Sequence, residues 1–299
     1  MNWKQTLRTS AVLIALGNLP WPAVAAQRYS AKGIVLKVDR TNRSLVVSCD
    51  EIPGYMAAMA MPFSVRHAQE LEGLATGASI EFTLIVDRTS SRIEDIHVRP
   101  YENTEQDPLS ARRLKIVAAI AGPPSVLEVT TGDRVPDFAL IDQNRQRVSL
   151  SQFSGKVVAV TFVYTNCALP NFCYRLSTNF SRLQKRFANR MGRDLILLTI
   201  TFDPAHDTPE VMEKYGKIWN ADSKGWRLLS GSKPDVDKVC NMFGISFWPD
   251  EGLMTHSLHT LLIDRNGVLT ANLEGNKFSA DELGDLVQTV LDRPRDGSN

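Results

Sequence analysis

The run from Val157 to Val163, Val-Val-Ala-Val-Thr-Phe-Val, constrains the fold more than any other segment. It is apolar and β-branched with no polar alternation, the pattern of a strand covered on both faces. Leu195 to Phe202 is a second such run, and Leu176 to Arg190 between them reads as a helix. Strand, helix and strand, with both strands apolar throughout, is the unit of a central sheet wrapped by helices. The rest of this half continues the alternation. Thr208 to Trp219 reads as a helix with Thr208 as cap and Pro209 in the first turn. Leu258 to Ile263 and Val268 to Leu273 flank Asp264-Arg265-Asn266-Gly267, a hairpin signal through Asn-Gly. Ser279 to Leu291 closes as a helix, with Glu282 at the capping-box position. An α/β domain over 129–295 is expected.

A chain of 299 residues has room for a second domain. Tyr29 to about Val98 is all strand: Ser30 to Asp39, Ser44 to Cys49, Met59 to Val65, Ser79 to Val86 and Arg92 to Val98. Five short strands at close spacing predict a small, OB-like β-barrel over 29–100. In the first, Ile34, Leu36 and Val38 alternate with polar neighbours and are expected on one face. Residues 101–128 read as a linker holding one helix, Leu109 to Ala121, stopped by Gly122-Pro123-Pro124.

Residues 1–25 have the make-up of an export signal: Lys4 and Arg8, a short apolar run from Ser10 to Leu16, then Ala23-Val24-Ala25 for cleavage. An uncleaved anchor is the alternative. The expected location is the periplasm or cell envelope. Thirty-four basic against 33 acidic residues leave a formal charge of +1. Such a balance offers no field for nucleic acid or anionic lipid, so neither is expected as a partner.

Export changes how the four cysteines, Cys49, Cys167, Cys173 and Cys240, are read. Four in a chain of this length do not make a disulfide scaffold. Cys167 and Cys173 follow the strand Val157 to Val163, where α/β folds place ligands, and precede a helix whose positive end is expected to favour the thiolate. The pair alone fits a stabilising disulfide, a redox couple or a metal site. His256 adds an imidazole to the two sulfurs, a soft donor set suited to copper.

The segments Gly132-Asp133-Arg134-Val135-Pro136-Asp137-Phe138, Phe162-Val163-Tyr164-Thr165-Asn166-Cys167, Asp203-Pro204-Ala205-His206-Asp207-Thr208-Pro209 and His256-Ser257 together resemble the Sco/SenC family of copper proteins, over Gly132 to about Gly275. The resemblance implies a thioredoxin-like fold and copper, Cu(I) or Cu(II), on Cys167, Cys173 and His256, with Asp203 as an outer orienting group. It also implies a role in assembling the binuclear copper centre of cytochrome c oxidase, by delivering copper or by reducing the receiving thiols, with the oxidase's copper-site subunit or another copper carrier as partner. The family has three residues between its cysteines; here there are five.

Ile52-Pro53-Gly54 and Met59-Ala60-Met61-Pro62-Phe63 resemble a second family, the small CusF-like periplasmic barrels. Thioethers prefer Cu(I). This resemblance implies a Cu(I) site on Met59 and Met61, with Cys49 where the family has a histidine and Met56 where it has an aromatic cap.

The leading expectation is a metallochaperone. A thiol–disulfide oxidoreductase using Cys167 and Cys173 is the alternative from another class, and copper sequestration or resistance is a third. The spacing of Thr165 and Cys167 does not match a peroxiredoxin.

Overall fold

The computed structural model describes residues 26–87, 90–99, 128–167, 172–250 and 253–294. The expected export signal and linker helix lie outside them.

Strands β1 (Gln27–Asp39), β2 (Ser44–Cys49), β3 (Met59–Val65), β4 (Ser79–Val86) and β5 (Ser91–Val98) close into a barrel in the order β1-β2-β3-β5-β4. All neighbours are antiparallel except β3 and β5. Its core includes Ala31, Val35, Leu45, Val47, Phe63, Ile80, Phe82, Leu84 and Ile93, inward residues from all five strands, as a small closed barrel demands.

The second body is a seven-stranded sheet in the order β14-β13-β8-β9-β10-β6-β7. Its centre is the parallel set β8 (Val157–Val163), β9 (Leu195–Thr201) and β10 (Trp226–Ser230). Every residue of β8 and β9 is buried, which is why neither sequence alternates. The hairpin β13 (His259–Ile263) and β14 (Leu269–Glu274) extends one edge, and β6 (Ala139–Asp142) with β7 (Arg147–Ser149) the other. Helices α1 (Cys173–Arg186), α2 (Pro209–Ile218), α3 (Lys233–Met242) and α4 (Ala280–Leu291) cover the sheet, and a separate hairpin, β11 (Phe247–Asp250) and β12 (Leu253–His256), stands beside it. This is the thioredoxin-like arrangement expected for this half. The capping box of α4 is complete, Ser279 accepting from the Glu282 amide and Glu282 from the Ser279 amide. Among the described residues no helix is long and apolar enough to cross a membrane.

The barrel sits on α4. Ile34 and Leu36 do not join the barrel core; they belong to the apolar cluster of the α/β body. Val38 packs instead against the barrel interior. The shared face expected for these three residues is therefore corrected, and the cause is a β-bulge: the β1–β2 register shifts between Val35 and Lys37, which reverses the inward parity beyond it. Ser48 Oγ donates to Asp285 Oδ2 at 2.7 Å, and Asp285 also holds Arg186 of α1 at 2.6 Å. Gly77 touches the sheet across the seam: a Cβ built there would lie 2.8 Å from the Cβ of Ala271 in β14, and its φ is +88°.

Gly77→Ala should therefore destabilise the chain. Positive φ costs an alanine about 1–2 kcal/mol before any displacement of β14, so urea unfolding should show a loss of at least ~1 kcal/mol; an unchanged midpoint would contradict this seam.

Candidate metal centre

The site stands where β8 and β9 end. Beyond β8, Thr165 is tied down by Asp207, which follows β9: the Thr165 amide and hydroxyl both donate to the Asp207 carboxylate, as does Thr201 Oγ1. Asp207 is 1% exposed, and burial raises its carboxyl above the ordinary range against the pull of those hydrogen bonds. Two residues after Thr165 comes Cys167, whose amide donates to Tyr164 O at 3.4 Å.

Cys173 is the first residue of α1, so the helix begins three residues earlier than its apolar periodicity suggests. Its side chain is 1% exposed. Burial opposes the pull that the helix terminus is expected to exert on its thiolate. Burial dominates and raises the Cys173 thiol well above its usual range, with the Cys167 sulfur, in hydrogen-bond contact, pushing the same way. No disulfide joins the two in this structure.

His256 ends β12 and is paired with Phe247 of β11, so it belongs to the side hairpin rather than to the start of the next sheet strand. It is 2% exposed, and its Nε2 lies 3.9 Å from Cys173 Sγ. Its Nδ1 lies 2.9 Å from Ser257 O. A carbonyl only accepts, so Nδ1 carries the proton and the Nε2 lone pair faces the sulfur. Phe202 packs on the imidazole at 4.5 Å between centroids, with Tyr164 at 5.7 Å and Phe172 at 6.4 Å. Cys167, Cys173 and His256 thus form a chain of contacts with Cys173 in the middle. Among the described residues no three His, Cys, Asp or Glu side chains already stand in a closed cage; a metal would have to draw Cys167 and His256 inward around Cys173.

Asp203 follows β9. Its carboxylate takes the Nδ1 of exposed His206, at 2.8 and 3.0 Å. The group that orients the cysteine segment is Asp207, four residues on, and the signal for it was its burial between β8 and β9, which the sequence does not print. His259 is buried with Nδ1 3.0 Å from Asn272 Oδ1, and Cys240 is fully buried in α3.

In the barrel, Cys49 is opposite Met59 and Val47 is opposite Met61. Cys49 faces the core at 1% exposure, so Met59 and Met61 share its face; Met59, 49% exposed, stands at the rim. Met56 closes a small loop by bridging Ile52 and packs against the same interior. Cys49, Met59 and Met61 thus share one face of β2 and β3, with Met56 in the loop between those strands; Tyr29 and Tyr55 stack on each other at 4.5 Å. Burial pushes the Cys49 thiol up to about 12, with Asp50 and Glu282 adding to it.

Comparison with known proteins divides the chain at the same place. The family model described as SCO1/SenC matches residues 129–292, and that of the copper binding periplasmic protein CusF matches residues 28–98. Among curated relatives, a Stutzerimonas stutzeri protein described as copper-binding is 27% identical over 54% of this chain and 78% of its own length. The Schizosaccharomyces pombe protein sco1 is 29% identical over 53% and 61%, and a SCO2-like protein of Rickettsia felis 29% over 44% and 64%. This chain therefore spans less than two thirds of the latter two relatives. Solved structures similar to it include copper-bound ScoI of Arabidopsis thaliana, 21% identical with TM-score 0.46 over 53% of this chain and 98% of that one. Copper-bound yeast Sco1 is 22% identical with TM-score 0.47 over 55% and 92%. The matched segment of the first model is the whole α/β body, more than half of the chain, and with it the chain belongs to the SCO1/SenC family, carrying a CusF-like barrel ahead of that body.

Proposed function

We propose that this protein is an exported copper carrier of the cell envelope. Copper is its cargo, held by Cys167, Cys173 and His256 and passed on by ligand exchange. The observation that carries this reading is the aim of the His256 Nε2 lone pair at Cys173 Sγ, 3.9 Å away, with the other ring nitrogen committed to Ser257 O. Two sulfurs and a neutral imidazole in an apolar surround suit a soft cation. The thiols must release protons as the metal enters, since burial holds Cys173 protonated. Membership of the SCO1/SenC family supports the binuclear copper site of cytochrome c oxidase as the destination, reached by delivery or by reducing that site's thiols.

The barrel mouth is read as a second, Cu(I)-selective site on Cys49, Met59 and Met61 with Met56 closing over them. A buried thiol opposite a thioether that reaches solvent gives an entry at Met59 and an anchor below it. A second reading of the main site is thiol–disulfide exchange, since Cys167 and Cys173 are both free and Cys173 opens α1.

Replacing His256 with Ala separates the two readings. Copper affinity at this site should fall by more than about 100-fold, beyond the usual ~10–100-fold for losing an outer partner, while Cys167–Cys173 disulfide formation persists. Competition against a chromogenic Cu(I) chelator measures it, and undiminished affinity would sink the ligand assignment. The paired change Met59→Leu and Met61→Leu keeps side-chain volume. It should lower bound Cu(I) from two ions per chain to one, measured by metal analysis after desalting, and unchanged stoichiometry would remove the barrel site.

A further inference from the structure

Helix α1 carries a charge pattern that neither the metal site nor the helix itself accounts for. Between Cys173 and Arg193 stand six cations, Arg175, Arg182, Lys185, Arg186, Arg190 and Arg193, and no acid, in a chain whose formal charge is +1. Arg186 is committed to Asp285 at 2.6 Å and Arg193 to Asp194 at 3.0 Å. The other four make no ion pair among the described residues. Arg175, Arg182 and Lys185, with Thr178 between the first two, recur at three- and four-residue spacing, so they share the outer face of α1. Asp285 of α4 does not neutralise this stripe, because it is taken up by Arg186 and Ser48 Oγ.

Helix electrostatics explain Lys185 and Arg186, which stand in the last turn, where cations are favoured. They do not explain Arg175. It stands in the first turn with no acid beside it, and there a cation opposes the helix dipole. An apolar spot adjoins the stripe. Tyr174 is 57% exposed and packs edge-on against Trp219 at 4.7 Å between centroids, and Ile218, the residue before Trp219, is 68% exposed. Exposed tyrosine and arginine around an aliphatic side chain make the composition of a protein-binding face.

We propose that the outer face of α1, with Tyr174 and Ile218 beside it, docks a partner protein that presents an acidic surface. Cys173 opens this helix, so the partner stands next to a sulfur of the metal site. A lipid sheet in that place would cover the sulfur without receiving anything from it, which is why a protein is the occupant. The charges draw the partner in and fix its orientation, and the apolar contact holds it. The docking does not depend on copper; only what is exchanged there rests on the copper-carrier reading.

The test is amide NMR on the nitrogen-labelled full chain, titrated separately with poly-L-glutamate and with the soluble copper-site domain of cytochrome c oxidase. Amides of α1 and of Ile218 should shift, and raising salt from ~50 to ~300 mM should weaken binding about tenfold. That map needs no variant. Arg182→Glu with Lys185→Glu should weaken binding by another factor of about ten. Lys37→Glu with Lys238→Glu makes the same change of net charge at exposed positions on β1 and α3, and should stay within about twofold of the parent. Tyr174→Ala should weaken the oxidase domain more than poly-L-glutamate, which has no apolar side chain to lose. A response of α1 to either probe supports the surface; poly-L-glutamate on α1 with the oxidase domain silent keeps it and removes the oxidase as destination. The proposal is overturned if neither probe moves α1, or if the control pair weakens binding as much as the stripe pair. It is overturned equally if α1 responds only to vesicles of phosphatidylethanolamine and phosphatidylglycerol, or to protein concentration alone, which would make the occupant a membrane or a second copy.

Discussion

Everything at the site follows from the parallel pairing of β8 with β9 and the antiparallel pairing of β13 with β8. The first pair, Val157↔Leu195 through Val163↔Thr201, ends both strands at one edge of the sheet, so the segments holding Cys167 and Asp207 emerge together. The second, Thr260↔Thr161 through Ile263↔Val158, reverses direction, so β13 begins where β8 finishes. His256 lies just ahead of that start and is delivered to the same edge from 83 residues away in sequence. Strand ends at the sheet's carboxyl edge are where such folds gather chemistry. Here the gathering needs no long loop, only the opposite polarity of one neighbouring strand.

Two influences compete over Cys173, and their sizes decide the outcome. A helix terminus stabilises an adjacent anion by about 0.3–2 kcal/mol. Burial works the other way, favouring the neutral thiol, and at Cys173 it is the larger influence. The thiol at the first position of α1 is consequently raised well above its usual range, despite the helix terminus. The same holds in the barrel for Cys49, whose thiol is likewise raised by burial.

The strands that were legible in the sequence are those whose burial is uniform or whose alternation is regular. β8, β9 and the barrel strands are read nearly to the residue, because covering both faces, or one, leaves an unmistakable pattern. The hairpin β6–β7 and strand β10 are short and sit between stronger signals. The hairpin β11–β12 carries Trp248 and Pro249 and has no alternation to betray it, so the local setting of His256 was out of reach. The three donors were legible as types and spacings. Their support was not: Asp207 and Tyr164 act through burial and hydrogen bonds to segments distant in sequence, and nothing about an aspartate in a turn or a tyrosine after a strand distinguishes them beforehand.

Strand β1 is buried on both faces where it meets the α/β body. Val35 fills the interior of the barrel while Ile34 and Leu36, on either side of it, fill the neighbouring body, so this stretch has no face turned to water. Cut loose from its companion, the barrel would expose an apolar stripe to solvent, and such a stripe seeks a substitute surface or self-associates. A free-standing relative would need polar side chains at those two positions. The fusion is thus written into one strand as an obligation: the two halves share a wall, and neither can be carried off whole.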